Sequence, residues 1–272
     1  MMRALWTAAS GMRAQQTNVD TISNNLANVN TVGYRSEKTE FKSLLYQTIQ
    51  TKTTTANAEN KPIPAQVGLG TRVASTTSSF ANGQFTATDS NTAFAIQGKG
   101  FFAVRGLNGE TFYTRNGDFH WTLRNGGGLA LATSDGYSVM DTEGNVIEFP
   151  EDADANALTV SKYGEIGFRN ADGEVELTGQ VIGLWQFNNP AGLNKISGTF
   201  YTETEASGVP LNESTANNIE RSTMAQNYLE SSNVQVADEM VNLIVAQRAY
   251  ELNSKAITTS DTMLEQANNL KR

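Results

Sequence analysis

The stretch LWTAASGMRAQQTNVDTISNNLANVNTVGYR, Leu5 to Arg35, decides how the chain is to be read. Its apolar residues recur as Leu5, Ala8, Met12, Val19, Ile22, Leu26 and Val29. In heptads, Leu5, Met12, Val19 and Leu26 take one seam position and Ala8, Ile22 and Val29 the other, with Gln15 a polar intruder. This 3–4 alternation predicts a coiled-coil-like helix from about Arg3 to Val29, on the order of 40 Å long. Gly33, preceded by β-branched Thr31 and Val32, supplies the left-handed residue at which such a helix stops.

The polar positions of this helix are unusual. Between Leu5 and Val29 the charges are Arg13 and Asp20, and almost all other off-seam residues are Thr, Ala, Ser, Gly, Gln or Asn. Seven residues apart, Arg13 and Asp20 lie roughly 10 Å from each other along one helix, too far to pair within it. Asn24, Asn25, Asn28 and Asn30 bring hydrogen-bond donors and acceptors without the desolvation cost of an ion. Ala9, Ser10, Gly11 and Ala27 allow close helix approach. The composition suits a helix packed on several sides by copies of itself. An intramolecular two-helix hairpin with polar flanks fits the same pattern, because heptad spacing fixes neither partner nor number.

The other end repeats the theme in ESSNVQVADEMVNLIVAQRAYELNSKAITTSDTMLEQANNL, Glu230 to Leu270. Ser232 and Gln235 have the spacing of a capping box. One apolar stripe runs Val236, Met240, Leu243, Tyr250, Ile257 and Leu264. A second runs Val241, Val245, Ala249, Leu252, Ala256, Met263 and Leu270, so this helix is contacted on more than one side. Glu251 precedes Lys255 by four residues, the favourable orientation for a surface pair.

Between the ends, turn dipeptides such as Asn82-Gly83, Asn108-Gly109, Asn116-Gly117, Asn125-Gly126, Asp135-Gly136 and Asp172-Gly173 punctuate short β-rich runs. QTKTTTANAENKPIPAQ, from Gln50 to Gln66, is polar with two prolines and reads as extended chain. The fold class is therefore α+β, with long terminal helices forming a coiled-coil domain and an all-β domain inserted between them. The expected boundaries are 1–33 and 234–272 for the helical domain, 34–70 for an extended linker and 71–233 for the β-rich domain.

Composition excludes several functions. At 272 residues, net charge −8 and pI near 4.8, without a basic run, the chain is unsuited to duplex nucleic acid. The absence of cysteine removes disulfides, thiolate zinc sites and cysteine nucleophiles. Apolar runs fall far short of the roughly 18 residues of a membrane span, so no membrane insertion is expected. The opening MMRALWTAASGM does not read as a cleavable signal. One histidine, His120 beside Trp121, rules out a Ser-His-Asp triad and two-histidine metal sites and reads as structural. Gly68-x-Gly70 and Gly98-x-Gly100 do not continue as dinucleotide fingerprints. Asp152, Asp154 and Asn156 begin like a calcium loop, but Ala157 and Tyr163 occupy its glycine and glutamate places. No catalytic residue, metal or cofactor is expected, and the chain does not read as an enzyme.

Both terminal stretches resemble the paired signatures of the bacterial flagellar axial proteins, the rod and hook family. The likeness extends to FKSLLYQTIQ (Phe41–Gln50), QGKGFFAV (Gln97–Val104) and YTRNGDF (Tyr113–Phe119), and so covers nearly the whole chain. Within the family it runs to distal-rod members; a proximal-rod or hook paralogue is the alternative, and outside the family a β-rich adhesin on a helical stalk. The resemblance implies a homo-oligomeric helical polymer whose helices line a hollow tube, with the β domain outside. It implies export through the flagellar type III apparatus and contact with proximal rod and hook axial proteins. Ring bushing proteins would join them where an outer membrane exists. It places Leu5, Ala8, Met12, Val19, Ile22, Leu26 and Val29, with Asn24, Asn25 and Asn28, at subunit interfaces. On the second helix it does the same for Val236, Met240, Leu243, Tyr250, Ile257 and Leu264. The segment Lys52–Gln66 falls where distal-rod members carry extra sequence associated with stiffness, although it matches no fixed motif.

Overall fold

The computed structural model describes residues 2–50, 65–106, 108–123, 128–149, 157–169, 175–216 and 219–270. They form two helices around a β-rich middle, an α+β arrangement, divided into two compact units. A helical unit takes residues 1–27, 37–78 and 235–272; a β unit takes 28–36 and 79–234.

In the helical unit, α1 (Met2–Ala27) packs along α2 (Val236–Asn269). Small residues stand among the buried positions of both helices. α1 buries Ala8, Ala14, Ile22 and Asn25, and the described part of α2 buries Ala246 and Ser260. Gly11 lies so close to Asn253 that an added Cβ would come 2.9 Å from its Nδ2. The larger seam residues Leu5, Met12, Val19 and Leu26 are half-buried instead. At Gly11 the absence of a side chain lets the two helices approach closely.

α1 also packs on two antiparallel strands, Glu37–Ser43 and Thr71–Ser78, in register from Glu37↔Ser78 to Ser43↔Thr71 with a bulge after Glu40. Thr39 Oγ1 donates to Thr21 Oγ1 of α1 at 2.9 Å. Tyr46–Gln50 pairs with Ala65–Gly68. Much of the stretch read as extended linker is thus paired strand, because TRVASTTS supplies β-branched partners for the chain leaving α1. The remainder, residues 51–64, lies outside the described residues, as do Asn125-Gly126, Asp152–Asn156 and Asp172-Gly173.

Two terminal details differ from expectation. α2 starts at Val236 without a side-chain cap, and Ser232 Oγ accepts the Val234 N–H at 3.3 Å. The capping box does not form because Asn233 belongs to the β unit: its Nδ2 donates to Ser79 O at 2.8 Å and its Oδ1 accepts Ser36 N–H at 2.7 Å. Glu251 pairs with Arg248 at 2.9 Å, one turn back, rather than with Lys255.

The β unit holds a ten-stranded antiparallel sheet. Its centre is Phe101–Arg105, which pairs with Thr111–Thr114, Ser138–Val139 and Leu184–Gln186. Phe102 and Val104 enter one core cluster with Phe94, Phe119 and Leu131. Phe101 and Ala103 enter another with Tyr113, Phe187 and Tyr201. Burial on both faces explains why GFFAVR is continuously apolar. Each such side chain contributes roughly 1.5–3 kcal/mol when fully buried. A three-stranded sheet, Leu158–Val160, Glu165–Arg169 and Val175–Val181, adds Leu158, Ile166 and Phe168 to the first cluster. Tyr228–Glu230 pairs with Phe85–Ala87, and Thr223–Gln226 with Phe94–Gln97.

Candidate subunit interface

α1 ends at Ala27, two residues before the expected Val29. The buried amide near its end has a defined task. Asn25 Oδ1 accepts the Glu37 N–H at 2.9 Å while Nδ2 donates to Glu37 O at 2.8 Å, so the side chain imitates a neighbouring strand. Nδ2 also lies 3.2 Å from Glu239 Oε1 of α2. A carboxylate would lack the donor and a lysine the acceptor, which is why an amide stands there. The Glu239 carboxyl is held above its ordinary range by burial first and then Asp238, against the Asn25 bond and Lys38. Asn24 is exposed, and half-buried Asn28 accepts the Thr31 hydroxyl at 3.1 Å.

The residues named from sequence as interface therefore divide. Ala8, Ile22 and Asn25 are buried within the chain itself. Leu5, Met12, Val19, Leu26, Val29, Leu243, Ile257 and Leu264 are half-buried, with faces still open. Val236, Met240 and Tyr250 are exposed. So are Val241, Ile244, Val245, Leu252, Met263 and Leu270, set among exposed polar and charged residues such as Asp238, Arg248, Glu251 and Lys255. Trp6 on α1 is 74% exposed. It borders a groove of about 320 Å³ shared with Ala9, Arg13, Thr17 and Arg72.

The β unit contains a buried charged cluster that sequence reading missed. Glu230 is fully buried, and Arg35 Nη2 donates to both of its carboxylate oxygens, at 2.9 and 3.0 Å. Arg115 Nε lies 3.3 Å from its other side, and the Gly83 N–H donates to it at 2.9 Å. Arg35 reaches Ala81 O at 2.7 Å; Arg115 reaches Asn82 Oδ1 at 2.6 Å, Gly98 O at 2.8 Å and Gly100 O. Burial pushes the Arg115 guanidinium down to about 10, against the pull of Glu230, so it stays charged at neutral pH. The Gly33 N–H donates to Glu230 O at 2.8 Å, with φ +70 at Gly33. A Cβ there would sit 2.5 Å from Asn116 N, which requires glycine. Arg35, Arg115 and Glu230 each stand in a stretch quoted above for its resemblance, but nothing in the spacing reveals that they meet.

Among the described residues no three potential metal ligands gather. His120 is exposed, 3.8 Å from Asp118.

Three family models match: "Flagella basal body rod protein" over residues 5–35, "Flagellar hook protein FlgE/F/G D1 domain" over 95–168, and "Flagellar basal body rod FlgEFG protein C-terminal" over 225–270. The flagellar basal-body rod protein FlgG of Borreliella burgdorferi is 45% identical over 280 residues, covering all of both chains. The chain belongs to the flagellar basal-body rod protein family. FlgG of Bacillus subtilis is 36% identical, again over all of both chains, whereas the flagellar hook-basal body complex protein FlhP of the same organism is 31% identical. This rod protein is structural and not an enzyme, a component of the basal-body rod outside the cytoplasmic membrane. No described helix is long and apolar enough to cross a membrane. Membership removes the stalked-adhesin reading.

Proposed function

We propose that the chain is a subunit of the distal rod, polymerising through its helical ends into a hollow, stiff shaft that transmits motor torque to the hook. The observation that carries the polymer is α2, which leaves Val236, Met240, Val241, Ile244, Val245, Tyr250, Leu252 and Met263 exposed to solvent. The distal assignment rests on the resemblance of the sequence to distal-rod members, which runs over nearly the whole chain. In this reading the half-buried seam of α1 and the exposed stripes of α2 form the tube wall, and the β unit is the outer domain. Proximal rod and hook subunits adjoin its two ends, ring proteins surround it where an outer membrane exists, and the type III apparatus exports it.

The sparse charge and modest helix propensity of α1 make its ordering dependent on neighbours. Limited proteolysis of dilute subunit and of polymer, with fragment masses, tests this. In dilute subunit both ends are lost to leave a core near Tyr34–Ser231, and in polymer they are protected. Equal resistance of the ends in both states contradicts the reading.

A further inference from the structure

We infer that Asn108 is a self-modifying position: in the folded chain its amide converts to a carboxylate, while the fold holds two other Asn-Gly pairs against the same reaction. The described residues contain Asn82-Gly83, Asn108-Gly109 and Asn116-Gly117. In such a pair the glycine nitrogen gives up its proton and attacks the asparagine Cγ. The N–Cγ bond forms, the Cγ–Nδ2 bond breaks, and Nδ2 leaves with that proton as ammonia. Water then opens the resulting cyclic imide at one of its two carbonyls, giving Asp or its isomer linked through the side chain. Glycine permits the attack because no Cβ crowds its nitrogen. Water is the co-reactant.

Exposure does not separate the three pairs, because Asn82 and Asn108 are both exposed. What separates them is whether the reacting groups are tied to other segments. Asn82 Oδ1 accepts from Arg115 Nη2 at 2.6 Å, and the Gly83 N–H donates to Glu230 Oε1 at 2.9 Å. The two groups are thus held by different partners, and the Glu230 carboxylate disfavours a negative nitrogen beside it. Asn116 Oδ1 accepts the Asp118 N–H at 3.0 Å. Gly117 is buried, its carbonyl accepts the Phe94 and Phe119 N–H groups at 3.0 and 3.1 Å, and an added Cβ would run into Phe94 O. That peptide has no room to turn. At Asn108, among the described residues, no hydrogen bond holds the side chain. Gly109 is exposed too, at φ +82, with nothing within 4 Å of an added Cβ. Its restraint is local, the Gly109 N–H donating to Gly106 O at 3.0 Å within the turn. This turn joins Phe101–Arg105 to Thr111–Thr114, so the product sets a second carboxylate beside exposed Glu110 at the end of the central hairpin.

The full chain is held in mildly alkaline heavy-oxygen water, folded in one sample and in urea in another, then digested in ordinary water for mass spectrometry. Heavy oxygen marks the products made during the incubation. Relative to urea, conversion in the folded chain is slowed less than about tenfold at Asn108 and more than about tenfold at Asn82 and Asn116, which require local opening first. Any other ranking overturns the inference. Hydroxylamine gives an independent reading, because it cleaves the chain at the imide. It cuts the folded chain between Asn108 and Gly109 and spares the bonds after Asn82 and Asn116. Asn108→Gln, which must close a larger ring, abolishes both the Asn108 signal and that cut; a cut pattern unchanged by it refutes the inference.

Discussion

Asn25 shows how a single amide can serve a strand of the same chain. The stretch around it correctly reads as a helix that wants hydrogen-bonding groups where charges usually stand, but the partner is the Glu37 backbone of the same chain. Asn25→Asp keeps the acceptor and loses the donor, placing a charge against Glu37 O and Glu239. It should cost about 1–3 kcal/mol in urea unfolding of the helical unit. A pure subunit-contact role predicts no change in the unassembled chain. Glu239 adds a pH signature. Its folded carboxyl binds a proton more readily than the unfolded one, so helical-unit stability rises as pH falls from its raised value toward the ordinary carboxylate range. It is lost again as pH rises through that raised value. Glu239→Gln retains an acceptor for Asn25 and should flatten this dependence; an unaltered pH profile would contradict the assignment.

At the scale of elements, periodicity made both helices legible, and turn chemistry made the β region legible. Asn108-Gly109 and Asp135-Gly136 hold the expected left-handed glycines, at φ +82 and +83. What escaped were features set by tertiary competition. Asn233, drawn into the β unit, displaces the start of α2, and β-branched pairing turns expected linker into strand. The heptad seam was legible as a pattern but not as a burial rank, because close approach at Gly11 favours small residues in the contact. Leu26 therefore keeps an open face. Leu26→Asp should leave the β unit folded and abolish polymerisation, read by light scattering alongside near-UV circular dichroism. Normal polymers from that variant would remove Leu26 from the interface.

Taken whole, the chain passes between its two units near residues 36, 79 and 234, and the β unit gathers the segments beside those crossings around one carboxylate. Glu230→Ala would leave two guanidinium groups buried without a counter-charge, at a cost of about 3–5 kcal/mol. Glu230→Gln, which keeps the shape, should lose most of that stability too if charge and not packing is decisive. Calorimetry of both variants separates the two contributions. No motif could have announced this cluster, since Arg35 and Glu230 are separated by 195 residues.

The Glu230 cluster also has a mechanical meaning. A domain hung from one strand of chain unravels from that strand when pulled. Here the segments Tyr34–Arg35, Ala81–Gly83 and Glu230–Asn233 are lashed together by bonds reaching across all three, so a pull on any one is shared by the others in parallel. Such a hitch gives way only when several bonds are sheared at once, so the β unit resists being peeled open from any one of the three segments.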